Sequence, residues 1–216
     1  LLSLFSSFSP HLTALPSFRP HKLQTKNKLP NIKICYFFHV EQGLVLDELD
    51  HDPSANSSGF FPLLACLLDY PLPTIALLTG HTFGGACPFA LAHDYRLMNS
   101  QRGYISMPPV NLGLHFPGIG SLLRLKLAPK TARKMLLEAH KWTGVEAEKE
   151  GIVDFVVEPG RMLEEALEWG RKVAPRARMG VFSLLRNELY GEAGRAFREI
   201  SYVYGRRTGR EAKAKI

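Results

Sequence analysis

Apolar residues along the chain fall into short compact runs and into longer stretches with helical spacing. Ile34-Cys-Tyr-Phe-Phe-His-Val40 and Ile75-Ala-Leu-Leu78 are the compact kind, and they predict buried strands. Asp94 to Met98, Tyr104 to Met107 and Ile152 to Val157 read as further strands. Phe60 to Leu68 predicts a core helix ended by Pro71 and Pro73. Phe89-Ala-Leu-Ala92 predicts a second helix, and Ser121 to Leu127 a third. Pro129 suits a first helical residue, followed by Ala132, Met135 and Leu136 at three-and-four spacing. Thr143 and Glu146 form a capping-box pattern for the segment ending at Gly151. Between these, Pro108-Pro109 stops a strand and opens a loop through Gly113 to Gly118 and Gly120. Arg161 to Val173 puts Met162, Ala166, Gly170 and Val173 on one side of a helix. Arg176 to Lys215 reads as one or two basic helices anchored by Phe182, Leu185, Leu189, Phe197 and Tyr204.

A helical link of this length between the strands at Ile75 and Asp94 fits a right-handed crossover between parallel strands. The fold class is therefore α/β. Residues 34–160 form the expected α/β core and residues 161–216 a helical C-terminal region with a basic tail. Residues 1–33 differ, with five Ser, four Pro and no regular apolar spacing. That segment is given no role in the fold.

Composition changes this picture in three places. The 216 residues suffice for one domain with a full core, and no apolar run approaches a membrane span. Three cysteines, Cys35, Cys66 and Cys87, without CxxC spacing argue against a disulfide framework or a metal site. The net charge of +7 is concentrated at the two ends. Residues 1–40 carry Arg19, Lys22, Lys26, Lys28 and Lys33 with no acid. A basic, Ser-rich, acid-free start suits an organelle transit peptide, and equally a start that is not native to the fold. Nucleic-acid binding is not expected, because no basic motif interleaved with aromatics is present.

The candidate chemistry sits in Gly80-His-Thr-Phe-Gly-Gly-Ala-Cys-Pro-Phe-Ala-Leu-Ala-His-Asp-Tyr-Arg96. A strand, a glycine pair and a helix in that order expose backbone N–H groups at a helix N-terminus. Gly84 and Gly85 let a ligand oxygen approach the backbone closely. A tight turn packed beneath a helix would use the same residues.

This run resembles the crotonase (enoyl-CoA hydratase/isomerase) pattern G-x-x-x-G-G-G/A followed by D-x-R. Met107-Pro-Pro-Val-Asn-Leu-Gly-Leu is similar to that family's P-E-x-x-x-G segment. Trp142-Thr-Gly and Ala147 through Gly151-Ile-Val-Asp154 are similar to its T-G-x-x-x-x-A-x-x-x-G-L-V-D block. The resemblance runs in register from about residue 42 to residue 175 and is closest to the peroxisomal enoyl-CoA delta-isomerases. It implies a ββα spiral whose opening strands would precede residue 42. The N-terminal strands are thus expected to be truncated, or partly replaced by residues 1–41.

The resemblance also implies a reaction and a site. A coenzyme A thioester is the substrate, no separate cofactor or metal is needed, and homo-trimers or hexamers are expected. Two backbone N–H groups, from Gly85 and Leu44, would stabilise the thioester oxygen as an oxyanion. Leu46, Phe83, Gly84 and Pro109 would line the substrate site. The two glutamates of the hydratases match Pro88 and Pro109, which carry no titratable proton, and the single acid of many isomerases falls either at Pro109 or a turn later, near Pro117, again no acid. Ordinary two-glutamate hydration is therefore disfavoured. Double-bond isomerisation, as in fatty-acid β-oxidation, remains with a substitute base. His115 is the candidate proton carrier, since imidazole changes charge near neutral pH. A packing or surface histidine is the alternative. His93 is expected to close the glycine helix favourably to its dipole, and Cys87 to be a core thiol rather than a nucleophile. Ala214-Lys215-Ile216 resembles the Ser-Lys-Leu peroxisomal address, with a mitochondrial location as the alternative.

Overall fold

The computed structural model of the protein describes residues 33–37 and 59–199. Six strands lie within them: β1 (Lys33–Phe37), β2 (Thr74–Leu78), β3 (Thr82–Phe83), β4 (Tyr95–Asn99), β5 (Ile105–Ser106) and β6 (Phe155–Val157). Eight α-helices accompany them: α1 (Phe61–Leu68), α2 (Ala86–Ala92), α3 (Pro109–Leu112), α4 (Ile119–Lys126), α5 (Pro129–Leu137), α6 (Gly144–Lys149), α7 (Met162–Val173) and α8 (Val181–Glu199). None of these helices is long and apolar enough to cross a membrane.

The large sheet has the order β1-β2-β4-β6 and every pairing is parallel. All five residues of β2 are buried. A strand apolar on both sides needs a layer on each face of its sheet. Alternate residues divide the work, as the two-residue period of a strand requires. Ala76, Leu78 and Met98 face the main core with α1, α2, α4 and Phe197 of α8. Ile75, Leu77 and Leu97 face Met162 and Ala166 of α7. Trp169 seals that side, with its ring edge-on to Tyr95 and Phe155 at 5.5 and 4.8 Å.

The small sheet pairs β3 with β5, again in parallel, with Thr82 opposite Ile105 and Phe83 opposite Ser106. Trp142 extends it through an antiparallel bridge to Ile105. Thr143 then caps α6 as its spacing predicts, with both halves of the capping box formed.

Four expectations need correction. Pro109 does not open a loop. It begins the short helix α3, which Gly113 closes at φ +64°, and the chain uses Pro as a first helical residue and Gly as a terminator. Gly118, at φ +81°, starts α4 two residues earlier than expected, so Gly120 is helical rather than part of the loop. The last strand begins at Phe155, because Asp154 turns its carboxylate onto the Arg96 N–H at 2.8 Å. Leu185 and Leu189 do not anchor α8; they are exposed. The buried edge of α8 is Arg186, Ala193 and Phe197, with Phe197 stacked on Phe61 at 5.7 Å. A buried ion pair between Arg186 and Asp94, at 2.8 Å, fixes that rotation. Tyr204 lies outside the described residues.

Candidate active site

Parallel pairing makes β3 and β5 end on the same side, so the segments that follow them emerge together. Gly84-Gly85 leaves β3 there, and Met107 to Pro109 leaves β5. Gly84 adopts φ +55°, a backbone geometry that favours glycine. Gly85 is the N-cap of α2, at φ −60° and ψ −25°, and no side chain caps that end. The Gly84 and Gly85 carbonyls accept from Cys87 and Phe89 N–H at 3.1 and 3.2 Å, which fixes the turn against the helix. At this end of α2 the Cys87 N–H is thus taken by the Gly84 carbonyl and Pro88 has no N–H, which leaves Gly85 and Ala86 as the backbone amides nearest the strand exit.

The side chains around the turn are apolar or aromatic. Pro88 is buried in the first turn of α2, and Pro109 is buried at the start of α3. Cys87 is fully buried with its Sγ 3.4 Å from Met135 Sδ, and burial pushes its thiol up to about 12. It is a core thiol, as expected, and no nucleophile at neutral pH. Phe83 is half-buried, with the Lys141 ammonium 5.6 Å above its ring. His81 lies between Phe83 and Tyr104, stacked on Tyr104 at 5.6 Å.

The other predicted residues divide into two groups. His115 is exposed, in the connection between Gly113 and α4. Leu44 and Leu46 lie outside the described residues, and so does the tripeptide Ala214-Lys215-Ile216. Gly84, Gly85, Phe83 and Pro109 are brought to one strand exit.

The opposite end of α2 holds a charged cluster that sequence reasoning missed. His93 closes the helix, but as a neutral group. Its Nδ1–H donates to Phe89 O at 2.8 Å, and burial pushes the imidazole down to about 4. Next to it Asp94 accepts from the Thr74 N–H and hydroxyl at 2.8 and 2.9 Å and from Arg186. Arg96 pairs with Asp154 at 3.1 Å and donates to the His93 and Ile152 carbonyls. Lys126 donates to the His93 carbonyl at 3.2 Å and lies 3.6 Å over the Tyr190 ring. Burial, and then the nearby Arg96 charge, push its ammonium down to about 7. The D-x-R spacing of Asp94 and Arg96 was visible in the sequence. Lys126 and Arg186 carried no local signal, since their partners lie far along the chain.

Comparison with known proteins supplies the framework for this geometry. The family model described as enoyl-CoA hydratase/isomerase matches residues 42–193. Enoyl-CoA delta isomerase 3 of Arabidopsis thaliana is 38% identical over 139 residues, covering 62% of this chain and 58% of that protein. Peroxisomal enoyl-CoA delta isomerase 2 of the same plant is 38% identical over 140 residues, with the same coverage. The chain thus spans less than two thirds of these relatives' length. An enoyl-CoA hydratase from Mycobacterium ulcerans superposes with a TM-score of 0.59 at 27% identity, over 65% of this chain and 61% of that one. An enoyl-CoA isomerase from Mycobacterium tuberculosis gives 0.70 at 22% identity, over 77% and 75%, a likeness of fold. The parallel strands, the glycine turn and the flanking helices are those of a crotonase-like fold, and the chain belongs to the enoyl-CoA hydratase/isomerase family.

Proposed function

We propose that the protein acts on acyl-CoA thioesters and moves the double bond of a 3-enoyl-CoA to the 2-position. The observation that carries this reading is the shared exit of β3 and β5, with Gly85 at the start of the helix that follows β3 and Pro109 at the start of the helix that follows β5. The thioester oxygen would accept from the Gly85 N–H, with Leu44 N–H as the second donor. Such donors stabilise the enolate oxygen more than the ground-state carbonyl, and one is worth roughly 10²–10³ in rate. A base removes the proton from the α-carbon, the electron pair delocalises into the thioester and the double bond, and the proton returns at the γ-carbon. The step is redox-neutral and leaves no by-product. His115 is the proposed proton carrier, and Leu46, Phe83, Gly84 and Pro109 the proposed substrate contacts. Relatives named as delta isomerases support isomerisation over hydration. Pro88 and Pro109, standing where the hydratases have acids, support it from the chemistry.

The direct test is turnover of a 3-enoyl-CoA by the purified protein, followed by the absorbance of the conjugated product. Conversion to the 2-enoyl-CoA is the expected result, and His115→Ala should abolish most of it. Tight acyl-CoA binding without turnover would favour a second reading, a non-catalytic acyl-CoA-binding subunit, which the two prolines also suit. Assembly into trimers or hexamers is proposed with the same reading, and light scattering on the purified protein measures it. Peroxisomal location is proposed from Ala214-Lys215-Ile216 and from the names of the plant relatives. A fluorescent fusion that stays peroxisomal without those three residues would reject that signal.

A further inference from the structure

A second concavity lies across the large sheet from α2, on the side that α7 covers. It is a cavity of about 400 Å³ between α7 and β6, the last strand of that sheet among the described residues. Its size is within the range of small-molecule sites. Leu97, Phe155, Val157 and Trp169 form its apolar wall, and the same residues pack with Met162 and Ala166 of α7. A cation already sits on that wall. The Lys172 ammonium lies 4.8 Å from the centre of the Trp169 ring, and Lys172 is exposed. The negative face of an aromatic ring attracts positive charge in this way. Two carboxylates stand at the rim in fixed orientations. Glu158 accepts from Ser100 Oγ at 3.1 Å and from Gln101 Nε2 at 2.7 Å. Glu148 accepts from the Val156 N–H at 3.1 Å. Neutral donors orient a carboxylate without cancelling its charge, whereas Glu165 is paired with Arg161. The two carboxylates are held at separate points, one at Val156 and one at Ser100-Gln101. Among the described residues they do not converge into a group that could hold a metal ion.

An aromatic wall that holds a cation, with two ordered negative charges set apart at its rim, selects positive charges joined by an apolar chain. We infer that this cavity binds an aliphatic polyamine. Its methylenes lie against Phe155 and Trp169, its ammonium groups meet Glu148 and Glu158, and its charge displaces Lys172 from the ring. The site shares no residue with the glycine turn, so the inference does not rest on the isomerase reading.

The experiment titrates spermidine into the purified protein and follows tryptophan fluorescence, with calorimetry for affinity. The chain has two tryptophans, and Trp142 is 2% exposed in the main core, so a change reports on Trp169. A saturable change with half-saturation below about 1 mM at low ionic strength is expected. Butylamine, with a single ammonium group, should bind roughly tenfold more weakly. Glu158→Gln, a substitution at an exposed position, should weaken spermidine binding roughly tenfold, and thermal melting checks that its fold is intact. Absence of saturation up to about 10 mM spermidine would overturn the inference. An equal response to magnesium chloride at matched ionic strength would do the same, since that is screening alone. So would unchanged affinity in Glu158→Gln, or a fluorescence change that persists in Trp169→Phe.

Discussion

The two ends of helix α2 are built from opposite chemistry. At its N-terminus stand Gly84, Gly85, buried Pro88 and buried Cys87, with backbone amides as the polar groups. At its C-terminus lie two hydrogen-bonded groups set side by side by the adjacent His93 and Asp94: Asp94 with Arg186, and the His93 carbonyl with Lys126 and with Arg96, which pairs with Asp154. The difference shows where ionised side chains serve structure. Charges at the C-terminal end tie α2 to β2, β4, α4 and α8. At the N-terminal end the turn itself offers fixed backbone dipoles, with His81 and Lys141 set back against Phe83; dipoles already in place cost no reorganisation when charge develops.

The strongest way to break this contrast is to remove one partner of the buried pair. Arg186 and Asp94 side chains are 4% and 8% exposed. Arg186 also donates to the Leu67 and Tyr70 carbonyls. Asp94→Ala should cost about 3–5 kcal/mol, because it strands a buried guanidinium. Urea unfolding measures the loss, and a cost below ~1 kcal/mol would mean that the cluster does not hold α2. At the other end, Gly85→Pro should do the reverse. Its φ of −60° suits proline at a helix start, so stability should change little. Removing the N–H should lower kcat by roughly 10²–10³, if the proposed oxyanion role holds. Equal losses of stability and activity in both variants would erase the distinction between the ends.

Much of the fold was legible because its signals are local. Compact branched runs, Pro129 at a helix start and the Thr143–Glu146 box each depend on residues within a few positions of one another, and each formed. The glycine turn was legible for the same reason. The rotation of α8 was not, because it depends on Arg186 meeting Asp94, 92 residues away in the chain. Apolar spacing alone selected Leu185 and Leu189, which the ion pair turns toward solvent. The late start of β6 has a similar origin in the Arg96–Asp154 contact, 58 residues apart. For the site, the sequence singled out Gly85, the proposed backbone donor, and the two prolines. The first lies on a helix N-terminus as expected, while Leu44 and Leu46 fall outside the described residues. Pro109 was legible as a non-acid and misread as a loop, because one proline both ends a strand and starts a helix.

The titration of the charged end sharpens the contrast through pH. Burial lowers Lys126 from its ordinary 10.5 to about 7, and His93 from 6.5 to about 4. A base with a depressed folded pKa binds fewer protons in the folded state. Stability therefore falls as pH drops through each window, from 10.5 toward 7 for Lys126 and from 6.5 toward 4 for His93. Each group contributes a slope of up to about 1.4 kcal/mol per pH unit. Unfolding free energies should thus rise with pH above neutrality, and Lys126→Met should flatten the upper window. An unchanged slope in that variant would remove Lys126 from the cluster's energetics.

The smallest expected effect tests whether burial, rather than charge alone, gives the C-terminal end its strength. Helix α8 carries a second ion pair, Arg198 with Asp69, whose side chains are 46% and 45% exposed. It has the same chemistry as Arg186 with Asp94 and joins α8 to the chain just after α1. Water solvates both of its partners when the pair is broken, so Arg198→Ala should cost less than about 1 kcal/mol and less still in high salt. Asp94→Ala leaves Arg186 with no such recourse. If urea unfolding gives similar costs for both variants, desolvation does not separate the pairs, and the cluster beneath α2 is no stronger than a surface contact. A gap of several-fold, insensitive to salt for Asp94 and salt-dependent for Arg198, ties the rigidity of α2 to burial of its charged end.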